Sequence, residues 1–261
     1  MVLGLPLPGT RDFTLEKYRE LCQALLNSGY TPSPVRDYLE RDPRADGRNV
    51  VLRHDVDRKA KNALRMAELE RAMGIRSTYY FRYPRTFNPD VMREIHGLGH
   101  EIGYHYEVLA KTNGDYAKAI ALFTDELSAF REICDIHTIC MHGSPLSRYD
   151  NRDLWKKYDF RAFGIIGEAY LSMAGREIRY FTDTGRSWSG KHSVRDVMQR
   201  TGADRVDTTD DLIEWVRSSG GEDLYLTVHP ERWALSTAEW SQNYVGDIVV
   251  NIGKKVLKLV H

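Results

Sequence analysis

The sequence has no formal net charge. Lysine and arginine together number 37, and aspartate and glutamate also number 37. The basic residues are dispersed along the chain, so they form no single positive segment. Because polyanions are attracted by a positive field, this composition argues against a protein whose main role is to bind nucleic acid or an anionic membrane surface.

Cysteine is also scarce, with only Cys22, Cys134 and Cys140 in 261 residues. An odd number of cysteines without a Cys-x-x-Cys spacing argues against a disulfide framework and against a structural zinc site built from thiolates. We interpret all three as buried thiols of a protein in a reducing compartment.

Long apolar runs are missing as well. No window approaches the roughly 18 uninterrupted apolar residues that a membrane-spanning helix needs. The segment 1–8 is apolar, but it is short, lacks a basic start and contains two prolines, so it does not match a secretory signal peptide. We therefore expect a cytoplasmic protein without a transmembrane segment.

The chain does contain a regular alternation of short apolar strands and amphipathic helices. This pattern is typical of β/α units that build a parallel sheet, and 261 residues can form one such domain. We predict one α/β domain over 49–261, with 1–48 as an N-terminal helical cap. The predicted helices are 14–27, 59–73, 89–98, 116–133 and one ending at 218. The predicted strands are 50–52, 77–81, 101–103, 138–141, 161–165, 179–182 and 224–228.

Two carboxylates follow the first of these strands, in Arg53-His54-Asp55-Val56-Asp57. Strand side chains alternate with period 2, so Asp55 and Asp57 project to one side, together with Arg53. Such a pair can hold a divalent metal on one carboxylate and keep the other as a proton acceptor. The alternative is an ordinary acidic loop after a strand.

Two further strand patterns end in histidine. Gly99-His100-Glu101-Ile102-Gly103-Tyr104-His105 is the first, and Leu224-Tyr225-Leu226-Thr227-Val228-His229-Pro230 is the second. Together with the acidic pair, these segments resemble the polysaccharide deacetylase family, carbohydrate esterase family 4, whose shared domain is called NodB-like. The order of motifs from about 49 to 233 carries the resemblance, and the Asp-x-Asp spacing is similar to a divergent subgroup.

The resemblance implies a NodB-like distorted (β/α) barrel of about seven strands. It also implies a metal-dependent hydrolase that removes an N-acyl group, such as acetyl, from an amino sugar in surface-polysaccharide metabolism. Asp55 would be the general base and His229 the general acid, while Asp57 and His105 would bind a divalent metal, with zinc as the expected ion. A cytoplasmic enzyme of this kind would act on nucleotide-linked or lipid-linked sugar precursors.

One position departs from the family pattern. Relatives carry a second metal-binding histidine four residues after the first, and this sequence has Leu109 there, which cannot bind a cation. Glu107 and His142 are the candidate replacements, and we favour Glu107 as the third ligand. A solvated carboxylate at a helix start and a loop histidine bonded to a backbone carbonyl are the corresponding structural alternatives.

Four residues are predicted to contact the carbohydrate substrate: Arg53, His142, Asp183 and Trp233. Arg53 shares the acidic side of its strand, where it can pair with Asp55 or reach the substrate. Asp183 lies in a later loop that often supplies an acidic partner in the family. Trp233 follows the last motif, where its ring can form a wall for a sugar or pack in the core.

Two other functions are also compatible with these residues. A metal-free hydrolase of linear or cyclic amides can use the same carboxylate and histidine, and a non-catalytic carbohydrate-binding protein can retain the pocket after losing a ligand. Leu109 favours these alternatives. The retention of Asp55, Asp57, His105 and His229 argues against the pure binder, which has no need of an acid and a base.

Overall fold

The computed structural model describes residues 11–41, 47–144, 147–189 and 206–247. Within these residues, eight strands form one sheet in which every pairing is parallel. The strands are β1 (Tyr30–Ser33), β2 (Arg48–Val56), β3 (Thr78–Phe81), β4 (Glu101–Tyr106), β5 (Thr138–Met141), β6 (Gly167–Glu168), β7 (Ile178–Thr182) and β8 (Asp223–Val228). The order β6-β5-β4-β3-β2-β8-β7 contains seven strands, and β1 pairs with β2 beside that path. The predicted α/β architecture with about seven parallel strands is confirmed.

Helices connect the strands, as expected for crossovers between parallel strands. They are α1 (Leu15–Asn27), α2 (Val35–Glu40), α3 (Ala60–Ala72), α4 (Pro89–Gly97), α5 (Val108–Lys111), α6 (Tyr116–Arg131), α7 (Leu154–Lys157) and α8 (Thr209–Ser218). Local sequence sets several of their starts: the side chains of Thr14, Asn88 and Asp115 each accept a hydrogen bond from a backbone N–H of the first turn, which satisfies a donor that the helix itself leaves unpaired. None of the helices in the described part of the chain is long and apolar enough to cross a membrane.

Strand β2 lies at the centre of the sheet. One edge pairs with β8, and the other pairs first with β1 and then with β3. Its apolar residues Val50, Val51 and Leu52 are buried, as is usual for a parallel strand covered on both faces. Because all pairings are parallel, one edge of the sheet contains the C-terminal ends of β2, β3, β4, β5 and β8. The predicted site residues lie at or just beyond these strand ends.

The face of β2 that carries His54 packs against helices through a buried polar cluster. Glu70 of α3 is its centre: its carboxylate lies 2.7 Å from Nε2 of His54 and accepts hydrogen bonds from the Ser77 hydroxyl at 2.6 Å, from Tyr79 at 2.8 Å and from Tyr18 of α1. Burial by itself raises the pKa of Glu70, but the charge and hydrogen bond of His54, with smaller contributions from neighbouring groups, lower it to about 2. The cluster ties α1 and α3 to β2.

Two features differ from the sequence prediction. The strand predicted at 161–165 is wrong: Phe160–Phe163 forms a 3-10 turn, which Asp159 caps and Gly164 ends with a φ of 71°. The strand pairing with β5 is instead the short β6, which follows this turn. Strand β1, which lies within the predicted cap 1–48, was not predicted. Parts of the predicted ranges 1–48 and 49–261 lie outside the described residues, and the boundary between them stays a prediction.

Candidate functional site

Three side chains converge at the C-terminal edge of the sheet. Asp57 follows β2, His105 belongs to β4 and His142 follows β5. Nε2 of His105 lies 3.4 Å from Oδ1 of Asp57, and Nε2 of His142 lies 3.5 Å from the same oxygen. The two imidazole rings are nearly perpendicular, with centroids 5.3 Å apart. Oδ1 of Asp57 is buried, and it has no hydrogen-bond partner among the described residues.

The spacings of Asp57 from His105 and from His142 suit a divalent metal ion. Among the described residues, the three potential ligands that all lie within 4.8 Å of one another are Asp55, His105 and Cys140. Ligands about 2.0–2.1 Å from a tetrahedral zinc ion are separated from one another by roughly 3.3 Å, close to the distances from Oδ1 of Asp57 to the two nitrogens. One carboxylate and two imidazoles are also a donor set that borderline divalent metals accept. A buried carboxylate oxygen is unfavourable without positive charge beside it, and Oδ1 of Asp57 also lies 4.0 Å from Nη1 of Arg82. Burial alone raises the pKa of Asp57, but the charges of His142 and His105 hold it well below its ordinary value.

The orientation of His105 leaves Nε2 available as a ligand. Its Nδ1 lies 3.0 Å from the backbone carbonyl oxygen of Cys140. Because a carbonyl oxygen can only accept, Nδ1 carries the hydrogen in this contact, and the lone pair of the neutral ring is on Nε2. Burial alone lowers the pKa of His105, but the negative charges of Asp55 and Asp57 raise it above its ordinary value.

Ser144 and Glu107 both contact Nδ1 of His142. The backbone N–H of Ser144 donates to this nitrogen at 3.3 Å, and the carboxylate of Glu107 lies beside it. Oε2 of Glu107 lies 2.9 Å from Nδ1 of His142, and the two carboxylate oxygens each accept a hydrogen bond of 2.8 Å from Nη2 of Arg82. Burial alone raises the pKa of Glu107, but His142 and Arg82 lower it to about 2. A carboxylate behind a metal-binding histidine is a common orienting partner. Leu109, at the position of the missing histidine, is 1% exposed and packs in the core.

Asp55 lies beside this cluster and contacts Arg53. Nη2 of Arg53 is 3.3 Å from Oδ2 of Asp55, while Nη1 donates a 2.9 Å hydrogen bond to the hydroxyl of Tyr225. The guanidinium carbon is also 4.2 Å from the centroid of the Tyr170 ring. Arg53 is fully buried and Asp55 is 3% exposed. These contacts turn Arg53 towards Asp55 and leave it no exposed surface for a substrate.

His229 is held by Asp183, which follows the neighbouring strand β7. The distance from Nδ1 of His229 to Oδ1 of Asp183 is 2.5 Å, and the backbone N–H of His229 donates to Oδ2 at 2.9 Å. Arg232 and the Trp233 indole N–H each donate to the same carboxylate at 3.0 Å. Burial alone raises the pKa of Asp183, but the charges of His229 and Arg232 lower it. Nδ1 is thereby committed to Asp183, and Nε2 is the nitrogen that remains for chemistry.

Trp233 is an interior residue. It is 2% exposed and packs against Phe13 and Tyr18, with ring centroids 5.1 Å apart in both cases. Its indole N–H holds Asp183, as described above. Trp233 therefore packs in the core, which was one of the two roles open to it from the sequence, and it supports His229 from behind.

Three residues near the site were not identified from the sequence. Cys140 places its Sγ 3.9 Å from Oδ1 of Asp55, and Arg82 binds Glu107. Glu231 is 3% exposed, and its Oε2 is buried with no hydrogen-bond partner in the described part of the chain. Burial and the negative charge of Asp57 raise the pKa of Glu231. The only sequence signal for Glu231 and Cys140 is that each lies two residues from a histidine of the site.

Comparisons with known proteins give similarity in structure only. No protein-family model matches the sequence, and the comparison with curated proteins finds no match. Among solved structures, the chain is similar to the Xyl-CE4 domain of a multidomain xylanase from the hindgut metagenome of Trinervitermes trinervoides, with 11% identity, a TM-score of 0.43, and coverage of 79% of this chain and 83% of that one. It is also similar to a family 4 carbohydrate esterase from Bacillus anthracis, with 11% identity, a TM-score of 0.42, and coverage of 89% of this chain and 85% of that one.

Proposed function

We propose that the protein is a metal-dependent hydrolase that removes an N-acyl group, such as acetyl, from an amino sugar in surface-polysaccharide metabolism. The observation that carries the metal-dependent part is the pair of imidazole nitrogens 3.4 and 3.5 Å from the buried Oδ1 of Asp57, which makes no hydrogen bond within the described residues. The carbohydrate substrate rests on the sequence resemblance. A cytoplasmic location, with a nucleotide-linked or lipid-linked sugar precursor as substrate, belongs to the same proposal.

The proposed metal ligands are Asp57, His105 and His142, with zinc as the ion. His142 takes the role that we assigned to Glu107 from the sequence, because Glu107 lies 2.9 Å from Nδ1 of His142 and is bound by Arg82. When bound, such an ion lowers the pKa of a water molecule and polarises an acyl carbonyl group. The remaining steps belong to side chains of this chain.

Asp55 is the proposed general base, which accepts the proton of the attacking water. Arg53 is a positioning residue in this scheme: its contacts with Asp55, Tyr225 and Tyr170 hold the carboxylate in one orientation. A base positioned in this way contributes by accepting the proton without having to reorganise first.

His229 is the proposed general acid. Asp183 orients its ring through Nδ1, so that Nε2 donates a proton to the departing amine. An amine of this kind is too basic to leave unprotonated at neutral pH, and a positioned acid removes that barrier. Asp183 and Trp233, which we predicted from the sequence to contact substrate, act in this proposal by holding His229.

Elemental analysis of the purified full-length chain tests the proposal. We expect about one divalent ion per chain, with binding abolished by Asp57→Ala, His105→Ala and His142→Ala. Glu107→Gln should retain the ion but bind it about 10–100-fold more weakly, the usual effect of removing an orienting partner. A protein that contains no stoichiometric metal and binds no added zinc, cobalt or nickel would refute the metal-dependent function.

A metal-free amide or cyclic-imide hydrolase is the second candidate. The observation in its favour is that Leu109, at the family's histidine position, is packed in the core. In that case Asp55 and His229 would still be required, while His142→Ala would leave turnover intact.

A further inference from the structure

Two sets of potential metal ligands overlap at His105. The first is the proposed set of Asp57, His105 and His142. The second is Asp55, His105 and Cys140, which are all buried and which each offer one ligand atom, with these atoms within 4.8 Å of one another. The proposed reaction uses Asp55 as a base and gives Cys140 no role.

The sheet register accounts for the second set. Residues His105 and Cys140 are direct partners in the β4–β5 pairing, so their side chains lie side by side on one face of the sheet. Sγ of Cys140 is 3.9 Å from Oδ1 of Asp55. A zinc ion with a sulfur ligand at about 2.3 Å and an oxygen ligand at about 2.0 Å separates the two by roughly 3.5 Å, so the observed spacing needs only a small adjustment.

The two sets differ in the ions that they prefer. A thiolate is a soft ligand that favours thiophilic ions, whereas a carboxylate with two imidazoles suits borderline ions. Both sets depend on the same atom, because Nδ1 of His105 is committed to the Cys140 carbonyl and only Nε2 has a lone pair to give. One lone pair serves one ion.

We propose that a thiophilic divalent ion binds at Asp55, His105 and Cys140, and that this ion excludes a metal from Asp57, His105 and His142. The bond from the metal to sulfur forms as the S–H bond breaks, and the proton leaves to the solvent; no group is oxidised or reduced. The site is inhibitory, because the bound ion takes both a ligand of the hydrolytic metal and the carboxylate of Asp55. Inhibition rests on the proposed function, whereas binding does not.

Cadmium is the probe for this site. The metal-stripped full-length protein is titrated with Cd²⁺ while the ultraviolet charge-transfer absorption from sulfur to cadmium and the release of one proton per ion are recorded. The wild type should show both signals. Cys140→Ser and Cys140→Ala should lose the absorption and bind Cd²⁺ at least tenfold more weakly, since even an orienting partner is worth about 10–100-fold in metal affinity.

Matched variants test whether the signal belongs to Cys140 and to the second ligand set. Cys134 is a half-buried thiol shortly after α6, and Cys134→Ser should leave the absorption unchanged. His142→Ala removes a ligand of the first set only, so it should weaken Zn²⁺ binding and keep the cadmium signal, whereas His105→Ala should weaken both. The serine and alanine replacements of Cys140 differ in that only the serine retains a hydrogen-bonding group beside Asp55. An effect common to both variants is therefore due to the loss of the thiol and not to the loss of that hydrogen-bonding group.

The proposal is overturned if the cadmium absorption persists in Cys140→Ser, disappears in Cys134→Ser, or is lost together with Zn²⁺ binding in His142→Ala. Its failure is distinguishable from failure of the proposed function. A cadmium signal that depends on Cys140 in a protein without hydrolytic activity would support the binding site and refute the hydrolase. Turnover that Cd²⁺ inhibits equally in the wild type and in Cys140→Ser would support the hydrolase and refute the binding site at Cys140.

Discussion

Replacement of Glu70 by glutamine should remove part of the acid sensitivity of this fold. Glu70 is fully buried, and the surrounding charges and hydrogen bonds lower its pKa from 4.5 to about 2. A group whose pKa is lower in the folded state stabilises the protein above its unfolded pKa and loses that contribution as the pH falls through its folded pKa. The stabilisation by Glu70 should therefore be lost as the pH falls from about pH 5 to about pH 2.

The size of the effect follows from the shift. A pKa lowered from 4.5 to about 2, at about 1.36 kcal/mol per pH unit, corresponds to about 3 kcal/mol of unfolding free energy near neutral pH. That contribution should disappear between about pH 5 and about pH 2. Replacement by glutamine removes the ionised group and leaves the donors Tyr18, Ser77 and Tyr79 with a poorer acceptor, so we expect a loss of about 2–4 kcal/mol near pH 7.

Urea unfolding followed by tryptophan fluorescence, repeated between pH 7 and pH 2, measures this difference. Other carboxylates with lowered pKa values also titrate in acid, so the informative quantity is the wild-type unfolding free energy minus that of Glu70→Gln. This difference should shrink as the pH falls below about 5. Glu68→Gln is the matched control, because Glu68 is exposed on the same helix and should change the unfolding free energy by less than about 0.5 kcal/mol. A difference for Glu70→Gln that stays constant with pH would refute the reasoning.

Three further predictions concern the site. Asp55→Asn should keep the bound metal, measured by elemental analysis, and lower the turnover rate by about 10²–10⁴-fold; unchanged turnover would remove Asp55 as the base. His229→Ala should slow the hydrolysis of substrates with poor amine leaving groups more than that of activated aryl esters, whose leaving groups need no proton. Equal losses of rate for both substrate types would leave His229 with a structural role. Leu109→His should lower the melting temperature without tightening metal binding, because Leu109 is packed in the core and His142 already faces Asp57; a tighter complex in a metal titration would show that position 109 borders the site.

Much of the fold is predictable from local sequence. The helix starts at Thr14, Asn88 and Asp115 are determined by side chains that bond to the first turn of the same helix, and such contacts need no tertiary partner. The apolar run before Asp55 likewise specifies a buried strand, and its period of 2 turns Asp55 and Asp57 to one face. The strand predicted at 161–165 failed because a capping aspartate and a left-handed glycine form a turn there, and these local signals override the apolar pattern.

The assignment of the third metal ligand depends on the tertiary structure. From the sequence, Glu107 is the nearer candidate, because it lies two residues from His105. Strand pairing makes β4 and β5 neighbours, and this brings His142 to 3.5 Å from Asp57 and puts Glu107 behind it. The separation of His105 and His142 along the chain contains no information about that contact.

The residues that support the site depend on long-range packing in the same way. Short-range patterns are enough to specify the alternation of strands and helices, the acidic pair on one face of β2 and the histidines that follow β8 and lie in β4, because each depends on residues a few positions apart. No such pattern shows that Arg53 turns to Asp55, that Trp233 supports Asp183 or that Cys140 lies beside His105. The orientation of Arg53 is set by Tyr225 and Tyr170, and the other two contacts join different strands and loops, so their partners are selected by sheet order and packing across the whole chain.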